Sequence, residues 1–323
     1  CGAVVRFSPD GRHSEVLAHG FRNPYDLDFN ALGQLFTVDA DGERDHHLPW
    51  YAPNRLFDID QGMEHGWLLA GWQRSWNRPE SYFDNVERAV QIGRGSPTGL
   101  VVYRHRQFPP QYRGAVFSAC WTMGRVYWLP LSPREASCTS RVEVFLQTTG
   151  EVGFAPVDLA VGPQGELFVA IGGRGTQGGV FRIKPAGSVS TTEKPTAGLA
   201  GILDQPQPLA PFSRATIAEL WKSSPEAVRL DKARKLVLDS GASSMERLRL
   251  LDVLQEQGNR PSADVLVTLT RDADPEVRAA AVGLLGVNAP KEAQPALENA
   301  LTDKDALVRR RACEGLVRAG IEP

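Results

Sequence analysis

Pro24-Tyr25-Asp26-Leu27-Asp28-Phe29-Asn30-Ala31-Leu32-Gly33-Gln34-Leu35-Phe36 returns 132 residues later as Pro156-Val157-Asp158-Leu159-Ala160-Val161-Gly162-Pro163-Gln164-Gly165-Glu166-Leu167-Phe168. The Pro, the Asp-Leu pair, the Gly and the final Leu-Phe keep their places. Each copy reads as strand, turn, strand, because a Gly-containing turn separates two apolar runs. The offset equals three units of about 44 residues, inside the period of roughly 40–50 expected for propeller blades. A looser copy runs Pro97-Thr98-Gly99-Leu100, then Gly114-Ala115-Val116-Phe117. Ser8-Pro9-Asp10-Gly11 adds a hairpin signal between Val4-Val5-Arg6-Phe7 and Ser14-Glu15-Val16-Leu17: proline presets φ and glycine supplies its positive value. Residues 1–186 hold about four units of this size.

A second repeat occupies the other end of the chain. Asp274, Val277, Arg278, Ala281 and Leu285 are matched 31 residues on by Asp305, Val308, Arg309, Ala312 and Leu316. Arg247 and Leu254 stand the same distance before Arg278 and Leu285. An acidic start, Val-Arg and an Ala/Leu face at helical spacing resemble HEAT-type repeats, in which paired helices stack into a solenoid. Ser224-Pro225-Glu226 and Asp274-Pro275-Glu276 predict helix starts, each with a capping oxygen ahead of proline. Between the two repeats, residues 187–212 are rich in Gly, Ser, Thr and Pro and read as a linker.

Composition divides in the same way. Of the 26 aromatic residues, 24 precede residue 187, as do all six histidines, which makes two unlike domains the simplest reading. The net charge of -2 argues against nucleic acid as a partner. No stretch is long and apolar enough to span a membrane. The four cysteines form no CxxC or CxxCH; Cys120 and Cys138 either meet across strands as a disulfide or remain two buried thiols.

The densest chemistry lies at Gly20-Phe21-Arg22-Asn23-Pro24 and at Asp39-Ala40-Asp41-Gly42-Glu43-Arg44-Asp45-His46-His47. The second segment places four carboxylates and two imidazoles within nine residues. Oxygen-rich loops with a turn glycine suit a hard cation such as calcium, although such loops also occur as solvated rims. Trp50, Tyr51, Trp67, Trp72 and Trp76 could stack sugar rings, and packing between blades is the commoner use of such residues.

These segments, with Glu64-His65-Gly66-Trp67, Gly95-Ser96-Pro97-Thr98-Gly99, Phe108-Pro109 and Gly178-Gly179-Val180-Phe181-Arg182-Ile183, resemble the glucose/sorbosone dehydrogenase family. Pro49-Trp50-Tyr51 resembles more closely a branch described as membrane-bound dehydrogenases, in which HEAT repeats and often a cytochrome c domain follow the propeller. The resemblance implies a multidomain β + α chain. A truncated six-bladed-type β-propeller over residues 1–186 is followed by the linker and by a HEAT-like helical solenoid over 213–323. It implies an extracytoplasmic oxidoreductase acting on a sugar or polyol through pyrroloquinoline quinone and calcium, with a haem protein or cytochrome c domain taking the electrons. Arg22 and Asn23 would contact the quinone; Asp39, Asp41 and Asp45 would organise calcium; the helical repeats would bind a protein partner.

The chain departs from the family pattern in its charges. The family's catalytic histidine is expected upstream of Cys1, so no catalytic residue is assigned here. The quinone-contacting lysine falls near Thr122, and two arginines fall near Ala155 and Val157. A non-catalytic propeller and solenoid that bind glycan or protein is the second reading.

Overall fold

The computed structural model describes residues 2–42, 51–67, 85–151, 153–173, 175–186, 196–288 and 290–321. The chain divides into two compact units: 1–30, 34–132 and 138–189 in one, and 190–323 with the short segments 31–33 and 133–137 in the other.

The first unit is built of antiparallel strands. β1 (Gly2–Phe7) and β2 (Ser14–Phe21) form a two-stranded ribbon, turned at Ser8–Gly11 through a bond from the Gly11 amide to the Ser8 carbonyl at 2.9 Å. β3 (Leu27–Phe29), β4 (Leu35–Asp39), β5 (Asn54–Asp58) and β6 (Val90–Gly93) make a four-stranded sheet in chain order. A second four-stranded sheet takes β7 (Pro97–Tyr103), β8 (Ala115–Cys120) and β9 (Arg125–Leu129), and then β12 (Glu143–Gln147). The small hairpin β10 (Leu131–Arg134) and β11 (Ser137–Ser140) is inserted before that last strand. β13 (Pro156–Val161), β14 (Leu167–Gly173) and β15 (Thr176–Ile183) form a three-stranded sheet.

The 132-residue repeat therefore maps onto β3–β4 and β13–β14, both strand-turn-strand, with the looser copy on β7–β8. The first strands of the three larger sheets lie side by side, β3 beside β7 and β7 beside β13. Asp26 and Asp28 beside and on β3 accept the Leu100 and Val102 amides of β7 at 2.8 and 2.7 Å. On the other side the Tyr103 hydroxyl donates to the Gly165 carbonyl at 2.7 Å. This radial succession of small antiparallel sheets is propeller-like. Fully buried Phe36, Leu56, Val102, Val116, Phe117 and Leu167 fill the space between sheets. Cys120 and Cys138 are both buried thiols outside any disulfide, which selects the thiol alternative.

In the second unit, α1 (Gly198–Leu203) and α2 (Pro211–Lys222) precede three helix pairs. The pairs are α3 (Glu226–Leu238) with α4 (Ser244–Glu256), α5 (Ala263–Leu269) with α6 (Pro275–Asn288), and α7 (Pro290–Ala300) with α8 (Ala306–Arg318). One apolar core runs from Ile202 to Leu316. α1 lies inside the stretch read as linker; the buried Ile202 is what holds it, an apolar side chain hidden in a Pro- and Gly-rich background.

The repeated arginines tie each pair to the next. Arg247 bonds both oxygens of Asp272 and the Val237 carbonyl, and Arg278 makes a fork to Asp303 with two bonds of 2.9 Å. Asp272 and Asp303 stand 31 residues apart, so the acid recurs with the arginine, and each pair satisfies a buried guanidinium. Asp274 caps α6 by accepting the Glu276 amide at 2.8 Å. The matching expectation at α3 fails: Pro225 itself occupies the cap with no side-chain bond, and the Ser224 carbonyl instead accepts from Arg229 at 2.8 Å.

α6 and α8 cross at Gly286 and Gly315, where a Cβ on Gly286 would lie 2.4 Å from the Gly315 Cα. Alanine is favoured over glycine in a helix by about 1 kcal/mol. The crowded atom is backbone and cannot swing away, so Gly286→Ala should lower stability by about 1–3 kcal/mol despite that preference. Urea unfolding followed by far-ultraviolet circular dichroism measures it, and a gain in stability would contradict the close crossing.

Candidate functional site

Two segments 45 residues apart in sequence form one structural element. His19 and Glu64 make a parallel bridge, the His65 amide donates to the His19 carbonyl at 2.9 Å, and the Trp67 amide donates to the Gly20 carbonyl at 2.7 Å. Gly20, at φ +78°, is required here, because a Cβ would fall 1.5 Å from the Glu64 carboxylate and 2.7 Å from the His65 nitrogen. Gly-Phe-Arg-Asn-Pro and Glu-His-Gly-Trp are thus two halves of a single element.

Asp39, at the end of β4, holds the backbone just after Phe21. Its carboxylate is fully buried and accepts the Arg22 amide at 2.9 and 3.1 Å and the Asn23 amide at 2.9 Å. Arg55 on β5, paired with Asp39 in the ladder, adds a guanidinium contact at 3.4 Å. Burial pushes the Asp39 carboxyl upward, opposed first by the Arg22 amide and then by Arg55. The result holds two consecutive residues in place: Arg22 is half-buried with its guanidinium carbon 5.7 Å from the Trp67 ring centre, and Asn23 is exposed.

Asp41, two residues on, is also buried, but it is used differently. One oxygen accepts the Tyr51 hydroxyl at 2.7 Å and lies 3.4 Å from the Gly95 amide. The other has no partner among the described residues, and the same holds for the buried Asn54 side-chain oxygen. Burial and the adjacent Asp41 push the Tyr51 hydroxyl up to about 12. Arg94 lies over the Tyr51 ring at 5.2 Å.

His65 sits behind this surface, fully buried, stacked on Phe21 at 4.2 Å and meeting Phe57 edge-on at 5.2 Å. Its Nδ1 lies 3.1 Å from the His19 carbonyl and 3.2 Å from the Met63 carbonyl, so Nδ1 carries the proton. Burial pushes its pKa down to about 4.

The structure therefore brings Arg22, Asn23, Asp39 and Asp41 into one neighbourhood. Asp45, His46, His47, Trp50, Trp72 and Trp76 lie outside the described residues. Asp41 thus keeps a buried carboxylate oxygen with no donor among the described residues, whereas the Asp39 oxygens already receive two amides and a guanidinium. Among the described residues no three His, Cys, Asp or Glu side chains gather as a metal cluster. Thr122 is exposed in the β8–β9 turn and Ala155 is buried before β13, so neither adds charge. Sequence reasoning missed Asn54, Arg55 and Arg94. The signal was Asn54-Arg55 directly before the apolar pair Leu56-Phe57, a cation placed where burial demands a partner.

Residues 262–322 match the model of the family described as HEAT repeats. No curated protein matches the chain. Among solved structures, a glucose dehydrogenase is similar at 20% identity and TM-score 0.44, covering 55% of this chain and 49% of that one. The PQQ-bound aldose sugar dehydrogenase of Streptomyces coelicolor is similar at 18% identity and TM-score 0.40, covering 57% of this chain and 52% of that one. The soluble aldose sugar dehydrogenase of Escherichia coli in its apo-form is similar at 20% and 0.37, covering 49% and 44%. The chain spans about half the length of the structures it matches. Among the described residues, no helix is long and apolar enough to cross a membrane.

Proposed function

We propose that the strand unit is part of a quinone-type oxidoreductase of sugars or polyols, and that the helical unit serves as its protein-binding partner surface. The observation that carries this reading is the clamp of Asp39 on the Arg22 and Asn23 amides. It presents a cation and an amide side by side, on the segment whose residues resemble the quinone contact of glucose/sorbosone dehydrogenases. A guanidinium held this way suits a planar anion, because its fork matches a carboxylate. Asp41, with Asn54, would hold calcium. The quinone, when bound, supplies the hydride acceptor; this chain's residues orient it and neutralise part of its charge.

The neutral Thr122, Ala155 and Val157 set the expected strength. Each lost charge-assisted contact removes roughly 1.5–3 kcal/mol. Titration of the full chain with pyrroloquinoline quinone in calcium, followed calorimetrically, should show binding weaker than micromolar, weakened further by Arg22→Ala and by Asp41→Asn. A dye assay with glucose should show no turnover by this chain. Binding indifferent to both substitutions would remove the redox reading and leave the alternative, a propeller and solenoid that bind glycan or protein. Submicromolar binding would instead mean that other cations of this chain supply the missing charge.

A further inference from the structure

The three helix pairs are not equal. α3 has 13 residues and α5 only 7. Where more turns of helix would cover the core, the chain from Gln257 to Ser262 crosses as a loop. It leaves a cavity of about 450 Å³ between α3, the end of α4 and the start of α5. That volume lies within the ~300–1,000 Å³ typical of ligand sites.

The loop is fixed in place. Asn259 accepts the Trp221 indole N–H at 3.2 Å, donates to Glu226 at 3.2 Å, and its amide returns to the Leu254 carbonyl at 3.0 Å. The floor is apolar, formed by the buried Val237, Leu254 and Val265. Both arginines at the mouth are exposed. Arg260 has no ion-pair partner among the described residues. Arg234 pairs with Asp264 at 2.7 Å, with both side chains more than half exposed, at 58% and 64%. Such a pair is weak, so an incoming carboxylate can replace Asp264 at little cost.

We propose that this groove takes an acidic peptide segment, with an aliphatic side chain seated on Val237, Leu254 and Val265 and its carboxylates at Arg234 and Arg260. Apolar floor and cationic rim select against a basic peptide and against a purely polar one. The inference deepens the reading of the helical unit as a partner surface and is independent of the redox reading.

Fluorescence anisotropy of the full chain with a fluorescein-labelled nine-residue peptide alternating Leu and Glu tests it, beside counterparts alternating Leu and Lys, and Gly and Glu. The Leu/Glu peptide should bind and the other two should not, with affinity falling as salt rises. Arg260→Glu should weaken it by about tenfold or more, equal to about 1.4 kcal/mol, with the melting temperature unchanged because the residue is exposed. Equal binding of the Leu/Lys peptide, or no binding of any peptide, overturns the proposal. Tight Leu/Glu binding that Arg260→Glu leaves unchanged overturns this groove as the site and keeps the partner reading of the unit.

Discussion

Asp39→Ala should lower the stability of the strand unit by about 3–5 kcal/mol, the range for removing one member of a buried ion pair. The substitution removes the shared acceptor of the Arg22 and Asn23 amides and, with it, a charge partner of the Arg55 guanidinium, itself only 6% exposed. Buried donors without acceptors cost their full desolvation, which is why the loss exceeds that of an ordinary hydrogen bond. Tryptophan emission is the right probe, since six of the seven tryptophans lie before residue 187. The measurement belongs in excess chelator. A carboxylate whose work is to hold the backbone is missed equally with or without calcium, whereas a carboxylate whose work is to hold calcium is missed only when calcium is present. A loss that disappears in chelator would return Asp39 to the calcium ligands.

That contrast shows where the sequence was legible. Repeats were visible because every blade and every helix pair solves the same packing problem, so residues such as Asp26 and Asp158, or Arg278 and Arg309, recur at one offset. The roles of individual acids were not. Asp39 and Asp41 look alike in sequence, each an acid at a strand end before a turn glycine. What separates them is which donors point at each one. Those donors come from Arg22, 17 residues earlier, and from Tyr51 and Gly95, 10 and 54 residues later. No spacing rule carries such information, because it is created only when sheets pack. Arg247 and Arg278 were seen as repeat marks, while their partners Asp272 and Asp303, two residues before the more conspicuous helix-capping Asp274 and Asp305, were not.

His65 predicts the second large effect, and it is one of pH. In the folded chain its pKa is about 4, against 6.5 for an unconstrained imidazole, because burial against Phe21 and Phe57 excludes the charged form, with Arg55 and His19 adding repulsion. Between those values the unfolded chain binds the proton and the folded chain does not, so acid draws the equilibrium toward unfolding. The contribution is complete above about pH 6.5 and is lost as pH falls toward 4. A fall in pKa from 6.5 to about 4 corresponds to about 3 kcal/mol. Carboxylates elsewhere also titrate in acid, and burial pushes Asp26 and Asp28 upward, so their contribution runs the opposite way as pH falls. The quantity to compare is therefore the difference between the parent chain and His65→Gln, which keeps a donor for the His19 and Met63 carbonyls and has no proton to gain. Urea unfolding at pH 7.5 and 4.5, read by tryptophan emission, should show the parent losing about 2–3 kcal/mol more than the variant over that interval. Equal losses would mean that the imidazole is protonated in the folded state, and that its Nε2, which meets no acceptor among the described residues, has found one.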